Sequence, residues 1–269
     1  MQRNFSDIIY TKYNGRAKII INRPRVLNAF TNNTLQEILI ALKDAWTDKE
    51  VGAIILTGAG DRAFSTGGDK SVTGVCGGIA EHPGTLTELP MHDLFGQVLY
   101  MIRTVPKPVI AAVNGFAIGG GHVLHVVCDL TVASSTAKFG QVGPKVGSFD
   151  AGYGSAYLAR VIGEKRAREM WYLCRKYSAD ECYRMGLVNE VVSPENLEKA
   201  TEEMCDVLLS HSPTALAALK MSFNADSSSI CGIQSMAGVA LGMYFETDEA
   251  LEGRNAFLEK RPPDYSAYR

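Results

Sequence analysis

Two glycine-rich turns carry the groups that could do chemistry in this sequence. One contains Gly67 and Gly68, and the other contains Gly119, Gly120 and Gly121. Glycine lets the backbone approach a ligand closely, and the N–H groups at a helix start are unpaired donors that favour negative charge. Two such donors aimed at one oxygen would form an oxyanion hole for an enolate or a tetrahedral intermediate. The spacing in GFAIGGGH fits neither the dinucleotide fingerprint nor a P-loop.

A third glycine-rich stretch, FGQVGPKVGSFDAGYGSAYLAR, holds a serine and an aspartate, Ser148 and Asp150. Asp150 could act on a ligand or could cap a backbone turn, and Ser148 could orient Asp150 or touch substrate. His122 and His125 stand three apart on a predicted helix, which invites a metal interpretation. Without a third ligand in the pattern, we expect core histidines and no metal.

Buried strands are expected to deliver the two glycine turns. Residues 51–57 and 109–113 are short apolar runs of the kind that forms fully buried strands, and each precedes one of the turns. After the second turn, Val123, Val126 and Val127 would share one face of a helix. Because the carboxyl ends of parallel strands meet at one edge of a sheet, we predict that both turns converge on a ligand there.

The rest of the chain alternates strands and helices up to residue 193 and is helical beyond it. We predict an α/β core over residues 1–193 and a helical C-terminal region over 194–269. Residues 71–90 are predicted to form a mobile surface loop that could cover a site. The predicted strands besides those above are 7–13, 17–22, 130–133 and 188–192, and the predicted helices are 34–46, 92–103, 164–176, 179–185, 194–210, 213–224, 231–247 and 248–260.

Composition narrows the class of protein. A chain of 269 residues with 46% hydrophobic residues can bury one sizeable core, and a net charge of −2 gives no reason to expect nucleic acid or an acidic membrane surface. No stretch is apolar enough to predict a membrane span and the N-terminus lacks a secretion signal, so we expect a cytoplasmic protein. Six scattered cysteines without a CxxC pair predict free thiols.

Four motifs, INRPRVLNAF, AFSTGGD, KPVIAAVNGFAIGGG and CDLTVAS, resemble the crotonase (enoyl-CoA hydratase/isomerase) superfamily over nearly the whole chain. The resemblance implies a right-handed spiral of ββα turns with a helical C-terminal trimerisation region, assembled as a homo-trimer or homo-hexamer. It also implies an acyl-CoA thioester substrate whose carbonyl is held by the N–H groups of Gly68 and Gly120. By position, Asp69 would bind substrate, and Arg25 and Lys260 would meet CoA phosphates unless they are solvated charges.

The departures from the hydratases point to one branch of that superfamily. Hydratases carry glutamates where this chain has Val123 and Gly143, and neither residue can transfer a proton. FGQVGPKVGSFDAGYGSAYLAR and TDEALEGRNAFLEKRPPDY resemble the branch of 2-ketocyclohexanecarboxyl-CoA hydrolase and 1,4-dihydroxy-2-naphthoyl-CoA synthase. The serine and aspartate of that branch fall on Ser148 and Asp150. The resemblance implies no required cofactor, although the synthase holds a bicarbonate near the position of Gly143.

Three functions stay open at this point. DIIYTKYNG, DKEVGAIILTGAGDRAFSTGGD and GTLTELPM are more similar to the hydrolase, which predicts ring-opening C–C cleavage of an alicyclic β-ketoacyl-CoA. The alternatives are the synthase, a ring-closing lyase, and an acyl-CoA-binding protein without catalysis. Both catalytic families have a tyrosine where this chain has Phe245, with Tyr244 one position earlier. Both residues are candidate substrate contacts, although neighbours on a helix face different ways.

Overall fold

The computed structural model describes residues 5–70 and 94–269. The predicted loop over residues 71–90 and Cys76 lie outside these residues. At the N-terminal end, strands β1 (Ile8–Tyr13) and β2 (Arg16–Ile21) pair antiparallel around Asn14 and Gly15, whose φ angles are 46° and 79°. Two consecutive positive φ angles are the mark of a type I′ turn, so the predicted hairpin is confirmed.

The described strands form two sheets. The first has six strands in the order β1-β2-β3-β5-β7-β10, and the second has four in the order β4-β6-β8-β9. Pairing is parallel except between β1 and β2 and between β8 and β9. The further strands are β3 (Ala53–Gly58), β4 (Ala63–Ser65), β5 (Val109–Val113), β6 (Phe116–Ile118), β7 (Leu130–Ser134), β8 (Lys138–Gly140), β9 (Tyr177–Ser178) and β10 (Glu190–Val192).

Successive passes of the chain place a strand in the large sheet and then a short strand in the small sheet. The passes β3–β4, β5–β6 and β7–β8 follow this scheme. The fold is therefore the predicted α/β arrangement of repeated ββα turns around parallel sheets. β3 and β5 are buried along their whole length, as their uninterrupted apolar sequences predict.

Helices cover the sheets and make up the C-terminal end. The first, α1, begins with a capping box between Thr31 and Thr34 and buries one apolar face that includes Leu35 and Ile38. The described helices are α1 (Asn32–Thr47), α2 (Leu94–Thr104), α3 (Gly120–Val126), α4 (Leu158–Ile162), α5 (Glu164–Leu173), α6 (Ala179–Arg184), α7 (Leu197–Leu209), α8 (Pro213–Ala225), α9 (Ser229–Phe245) and α10 (Asp248–Leu258). None of them is long and apolar enough to cross a membrane.

The helix predicted over residues 164–176 ends early. Cys174 adopts a left-handed conformation with φ 47°, which closes α5 after Leu173 and frees the chain to form β9. The five described cysteines are free thiols, as expected.

The prediction of which strands lead into the two glycine turns is wrong. The turn with Gly67 and Gly68 follows β4, and the turn from Gly119 to Gly121 follows β6. The apolar runs at 51–57 and 109–113, which are predicted to lead into the turns, form β3 and β5, and these strands belong to the other sheet. Strands of three residues carry no periodic signal, so β4 and β6 are invisible to a pattern search. The two turns nevertheless come together, because β4 and β6 pair in parallel.

From residue 194 to residue 258 the chain consists of helices and short connections. α7 packs its buried Leu197, Ala200 and Cys205 against the outer face of the large sheet. This helix therefore shares a core with the sheet, while the division at residue 193 stays a prediction.

Candidate active site

A cavity of about 160 Å³ lies where the two glycine turns meet. Its wall includes both turns, residues 141–150, parts of α2 and α5, and one face of α9. The site is predominantly apolar, with Phe30, Phe95 and Phe245 among its lining residues. Such a cavity suits an acyl chain or ring more than a free ion.

A backbone bridge to Phe30 fixes the turn at Gly68, which borders this cavity. Phe30 N–H donates to the carbonyl of Gly67 (2.8 Å), and Asp69 N–H donates to the carbonyl of Phe30 (2.9 Å). In extended backbone, successive N–H groups point to opposite sides. The N–H of Gly68 therefore points away from Phe30, and within residues 5–70 and 94–269 it has no hydrogen-bond partner.

The second turn supplies a matching donor. Gly120 is the first residue of α3, where the N–H has no partner inside the helix. Gly67 has φ 86°, and a Cβ on it would lie 2.9 Å from Gly120 N. The two turns are thus in direct contact, which requires glycine at both positions, and the N–H groups of Gly68 and Gly120 border one cavity.

Ser148 and Asp150 line the same cavity. Oδ1 of Asp150 accepts hydrogen bonds from the N–H groups of Gly152 (3.0 Å) and Gly154 (2.8 Å), which fixes the carboxylate. Trp171, also in the wall, donates its Nε1–H to the carbonyl of Gly154 (2.6 Å). The aspartate predicted from sequence therefore lines the same cavity as the two glycine turns.

No carboxylate stands at either hydratase position. Val123 is 1% exposed and lines the cavity, as does Gly143. A Cβ at Gly143 would lie 2.5 Å from the carbonyl oxygen of Ser148, so the fold itself demands glycine there. That demand explains Gly143 without a bound ion.

A row of buried polar side chains lies behind the cavity wall. Gln141 lines the cavity, is 1% exposed, and places its Nε2 3.2 Å from Nδ1 of His122. Nδ1 of His125 lies 3.3 Å from the hydroxyl of Thr131. Burial lowers the pKa of His122 to about 3, and burial together with His122 lowers the pKa of His125 well below its usual value. Both imidazoles are neutral core groups, and the described residues contain no cluster of three potential metal ligands around them.

Helix α9 presents one face to the cavity, through residues spaced by three or four: Gln234, Ala237, Gly238, Leu241 and Phe245. The ring of Tyr244 instead packs 5.5 Å from the ring of Phe149, and burial raises the pKa of its phenol to about 12. Tyr244 is not among the lining residues. Phe245 therefore brings an apolar ring to the cavity, and the phenol of Tyr244 lies outside its wall.

Three predicted substrate contacts lie elsewhere. Arg25 and Lys260 are exposed and do not line the cavity. Asp69 is 5% exposed, and its Oδ2 lies 2.9 Å from Nη1 of Arg23. Its carboxylate is directed into the protein, behind the turn that carries Gly68.

Sequence reasoning missed several lining residues. Trp171 and Gln234 had no signal of their own, because only the fold brings α5 and α9 to the glycine turns. The helical spacing of the apolar residues in α9 is a signal that could have shown two faces, one of which lines the cavity.

A family model described as enoyl-CoA hydratase/isomerase matches residues 11–268, nearly the whole chain. Solved structures with the same fold agree with that match. An enoyl-CoA hydratase from Mycobacterium avium subsp. paratuberculosis is 27% identical, with a TM-score of 0.83 over 97% of this chain and 99% of that one. An enoyl-CoA hydratase subunit from Geobacillus kaustophilus is 34% identical, with a TM-score of 0.73 over 97% and 98% of the two chains.

A third similar structure has a different reaction in its description. It is a methylmalonyl-CoA decarboxylase in complex with 2-nitronate-propionyl-CoA, 27% identical, with a TM-score of 0.81 over 97% of this chain and 99% of that one. The fold is thus shared by proteins with different acyl-CoA reactions, and the side chains in the cavity must distinguish among them.

Proposed function

The chain belongs to the enoyl-CoA hydratase/isomerase family, and on that premise we propose that it is a ring-opening C–C hydrolase of an alicyclic β-ketoacyl-CoA. The family acts on acyl-CoA thioesters, and the proposal concerns which bond is broken. It assigns the thioester oxygen to the N–H groups of Gly68 and Gly120, and the activation of water to Asp150 with Ser148.

The observation that carries the proposal is the placement of the only carboxylate in the described wall of the cavity. Asp150 lines the space that the glycine turns border, and Val123 and Gly143, which the sequence resemblance places where hydratases carry glutamates, also line it. Hydration of an enoyl thioester needs acid and base groups at those positions. An enolate-forming reaction needs only the oxyanion donors and one base near the β-carbon.

The proposed reaction balances with water as the only co-reactant. Asp150 takes a proton from water, and the hydroxide adds to the ring ketone to give a tetrahedral alkoxide. Collapse of that alkoxide breaks the bond between the α- and β-carbons, and the electron pair passes to the thioester as an enolate. The ketone carbon becomes a carboxylic acid, and the α-carbon takes the proton that Asp150 removed from water. This step restores the Asp150 carboxylate and gives the mono-CoA ester of a dicarboxylic acid.

The decarboxylase among the similar structures supports this type of chemistry. Loss of CO₂ from a malonyl thioester leaves a thioester enolate, the same species that C–C hydrolysis would release. A common fold with donors for that oxygen can therefore serve both reactions.

The test is Asp150→Asn. We expect turnover of 2-ketocyclohexanecarboxyl-CoA to fall by about 10²- to 10⁴-fold, because a general base is lost. Binding of an unreactive CoA ester should stay unchanged, since the amide keeps the size of the side chain. The matched control is Asp180→Asn, an exposed aspartate on α6, which should keep full activity. Full activity in Asp150→Asn contradicts the assignment.

Product masses distinguish the second candidate. The synthase interpretation places a bicarbonate base beside Gly143, which lies in the cavity wall. Gain of one water by 2-ketocyclohexanecarboxyl-CoA supports the hydrolase. Loss of one water from o-succinylbenzoyl-CoA, with dependence on bicarbonate, supports the synthase. Binding of both thioesters without reaction supports a non-catalytic acyl-CoA-binding protein. The absence of a phenol at Phe245 would then help to explain the lack of catalysis.

We also propose that the chain assembles as a homo-trimer or homo-hexamer through its C-terminal helices. α8 and α9 expose large apolar side chains, among them Phe223 (74%) and Met236 (75%). Exposed apolar groups of this size on adjacent helices mark interaction surfaces.

A further inference from the structure

A single guanidinium joins both sides of the bridge that orients Gly68. Nη1 of Arg23 lies 2.9 Å from Oδ2 of Asp69, the residue after Gly68. The same nitrogen donates to the carbonyl of Ala29, the residue before Phe30. Arg23 thus holds the two backbone segments whose pairing directs the N–H of Gly68.

The arginine is itself fixed by the surrounding loop. Its backbone N–H donates to Oδ1 of Asn28 (3.0 Å), and its Nε lies 3.7 Å from Asp7. Asn28 is fully buried and donates to the carbonyls of Ala59 (2.9 Å) and Ala63 (2.7 Å). The loop before α1 is therefore tied to the segment that leads into β4 and the glycine turn.

The charge and burial of Asp69 indicate why its ion pair with Arg23 affects the position of Gly68. Asp69 is almost completely buried, and a buried carboxylate that loses its cation is strongly destabilised. Without Arg23, the two backbone segments lose the guanidinium that joins them, and any shift of Asp69 moves Gly68, because the two residues are adjacent in the chain. A displacement of about 1 Å at a reacting centre can cost about 10²-fold in rate.

We propose that Arg23 and Asp69 form an ion-pair clamp that positions the N–H of Gly68 in the oxyanion hole. This inference rests on the proposed role of Gly68 and Gly120 as donors to the thioester oxygen. It makes Asp69 a positioning residue that has no contact with substrate. Arg23, which lies outside the cavity wall, acts through Asp69.

The test uses cinnamoyl-CoA, a conjugated thioester whose near-ultraviolet absorption moves to longer wavelength when hydrogen bonds polarise its carbonyl. We expect a red shift on binding to the wild-type protein and a clearly smaller shift with Arg23→Met at an unchanged dissociation constant. Turnover of 2-ketocyclohexanecarboxyl-CoA should fall by about 10- to 10²-fold with little change in KM, because the donor is displaced and not removed.

Two further variants separate positioning from general damage. Arg23→Lys keeps a cation beside Asp69 and should recover most of the red shift. Arg160→Met removes an exposed arginine that pairs with Asp226 away from the cavity, and its shift should equal that of the wild type. If Arg23→Met does not fold, Asp69→Asn keeps the side-chain size, removes the charge, and should give the same loss of shift.

Three other outcomes would contradict the clamp or the oxyanion hole on which it rests. A full red shift in Arg23→Met, or in Asp69→Asn where that variant replaces it, overturns the clamp. Weaker binding with an unchanged shift assigns Asp69 to substrate contact and also overturns it. A bound wild-type complex without any red shift overturns the oxyanion role of Gly68 and Gly120, and the clamp with it.

Discussion

The position of Asp150 depends on the absence of a side chain at Gly154. The N–H of Gly154 donates to the carboxylate of Asp150, and a Cβ at Gly154 would lie 2.8 Å from Cγ of Asp150 and 2.8 Å from Cγ2 of Val123. These distances are shorter than van der Waals contact. Alanine at this position would therefore displace the carboxylate while leaving its chemistry intact.

We predict that Gly154→Ala lowers turnover by about 10²-fold through misplacement of Asp150. Overpacking should also lower the free energy of unfolding by about 1–3 kcal/mol. Steady-state kinetics and urea unfolding measure the two effects.

Gly232→Ala is the matched control for this substitution. A Cβ at Gly232 meets nothing within 4 Å, and the residue lies exposed on α9. We expect unchanged turnover and a gain of up to about 1 kcal/mol from helix propensity. Wild-type turnover in Gly154→Ala would mean that Asp150 need not be held rigidly.

At the scale of elements, a buried lysine fastens α8 to the sheet. Nζ of Lys220 donates to the carbonyls of Ile102 (2.9 Å) and Lys107 (3.0 Å) and to Oδ2 of Asp129 (2.6 Å). Asp129 also accepts the N–H of Val109, the first residue of β5 (2.7 Å). One side chain therefore links α8, the end of α2 and a central strand.

We predict that Lys220→Met lowers the free energy of unfolding by about 2 kcal/mol, because the carbonyls of Ile102 and Lys107 and the partly exposed carboxylate of Asp129 lose a buried charged donor. Urea unfolding followed by circular dichroism measures the loss. Lys199→Met removes an exposed lysine whose Nζ lies 3.8 Å from Glu203, and should change stability by less than about 0.5 kcal/mol. Equal effects of the two substitutions would show that Lys220 does not anchor α8.

At the scale of the whole molecule, the two buried histidines should make stability depend on pH. Both are neutral in the folded protein, and the pKa of His122 is lowered to about 3 by burial. In the unfolded chain a histidine has a pKa of about 6.5. Between these values only the unfolded state binds the proton, so stability is lost as pH falls from about 6.5 toward about 3.

We predict a loss of up to about 1.4 kcal/mol per pH unit for each buried histidine in this range. Urea unfolding at pH 7.5 and 5.5 gives the dependence, to which carboxylates also contribute. His122→Gln isolates the histidine part and should weaken the dependence, whereas the exposed His211→Gln should leave it unchanged. An identical pH dependence in all three proteins contradicts the prediction.

The exposed apolar surface of α8 and α9 predicts assembly of the whole molecule. Sedimentation velocity should show a trimer or hexamer, and Phe223→Glu should shift it toward the monomer by placing a charge in an apolar contact. The control is Tyr183→Glu, which changes an exposed aromatic residue on α6. A monomeric wild-type protein would contradict the proposed assembly.

The sequence by itself determined the elements whose signals are local. Asn14-Gly15 predicted the first hairpin because both residues tolerate positive φ, and the apolar run at 109–113 predicted β5 because a strand buried on both faces needs no alternation. Asp150 and the two glycine turns were identified as site residues through their motifs, and the structure brings them to one cavity.

Only the tertiary structure decided the parts that depend on contacts between distant segments. The small sheet consists of strands of two or three residues, which exist through their pairing and not through propensity. The bridge between Phe30 and Gly68 joins residues 38 positions apart, and the ion pair joins Arg23 to Asp69, 46 positions away. The face of α9 reaches the cavity from still farther along the chain. No local pattern encodes such a pairing, because its free energy comes from burial and hydrogen bonds that form only when the whole chain is folded.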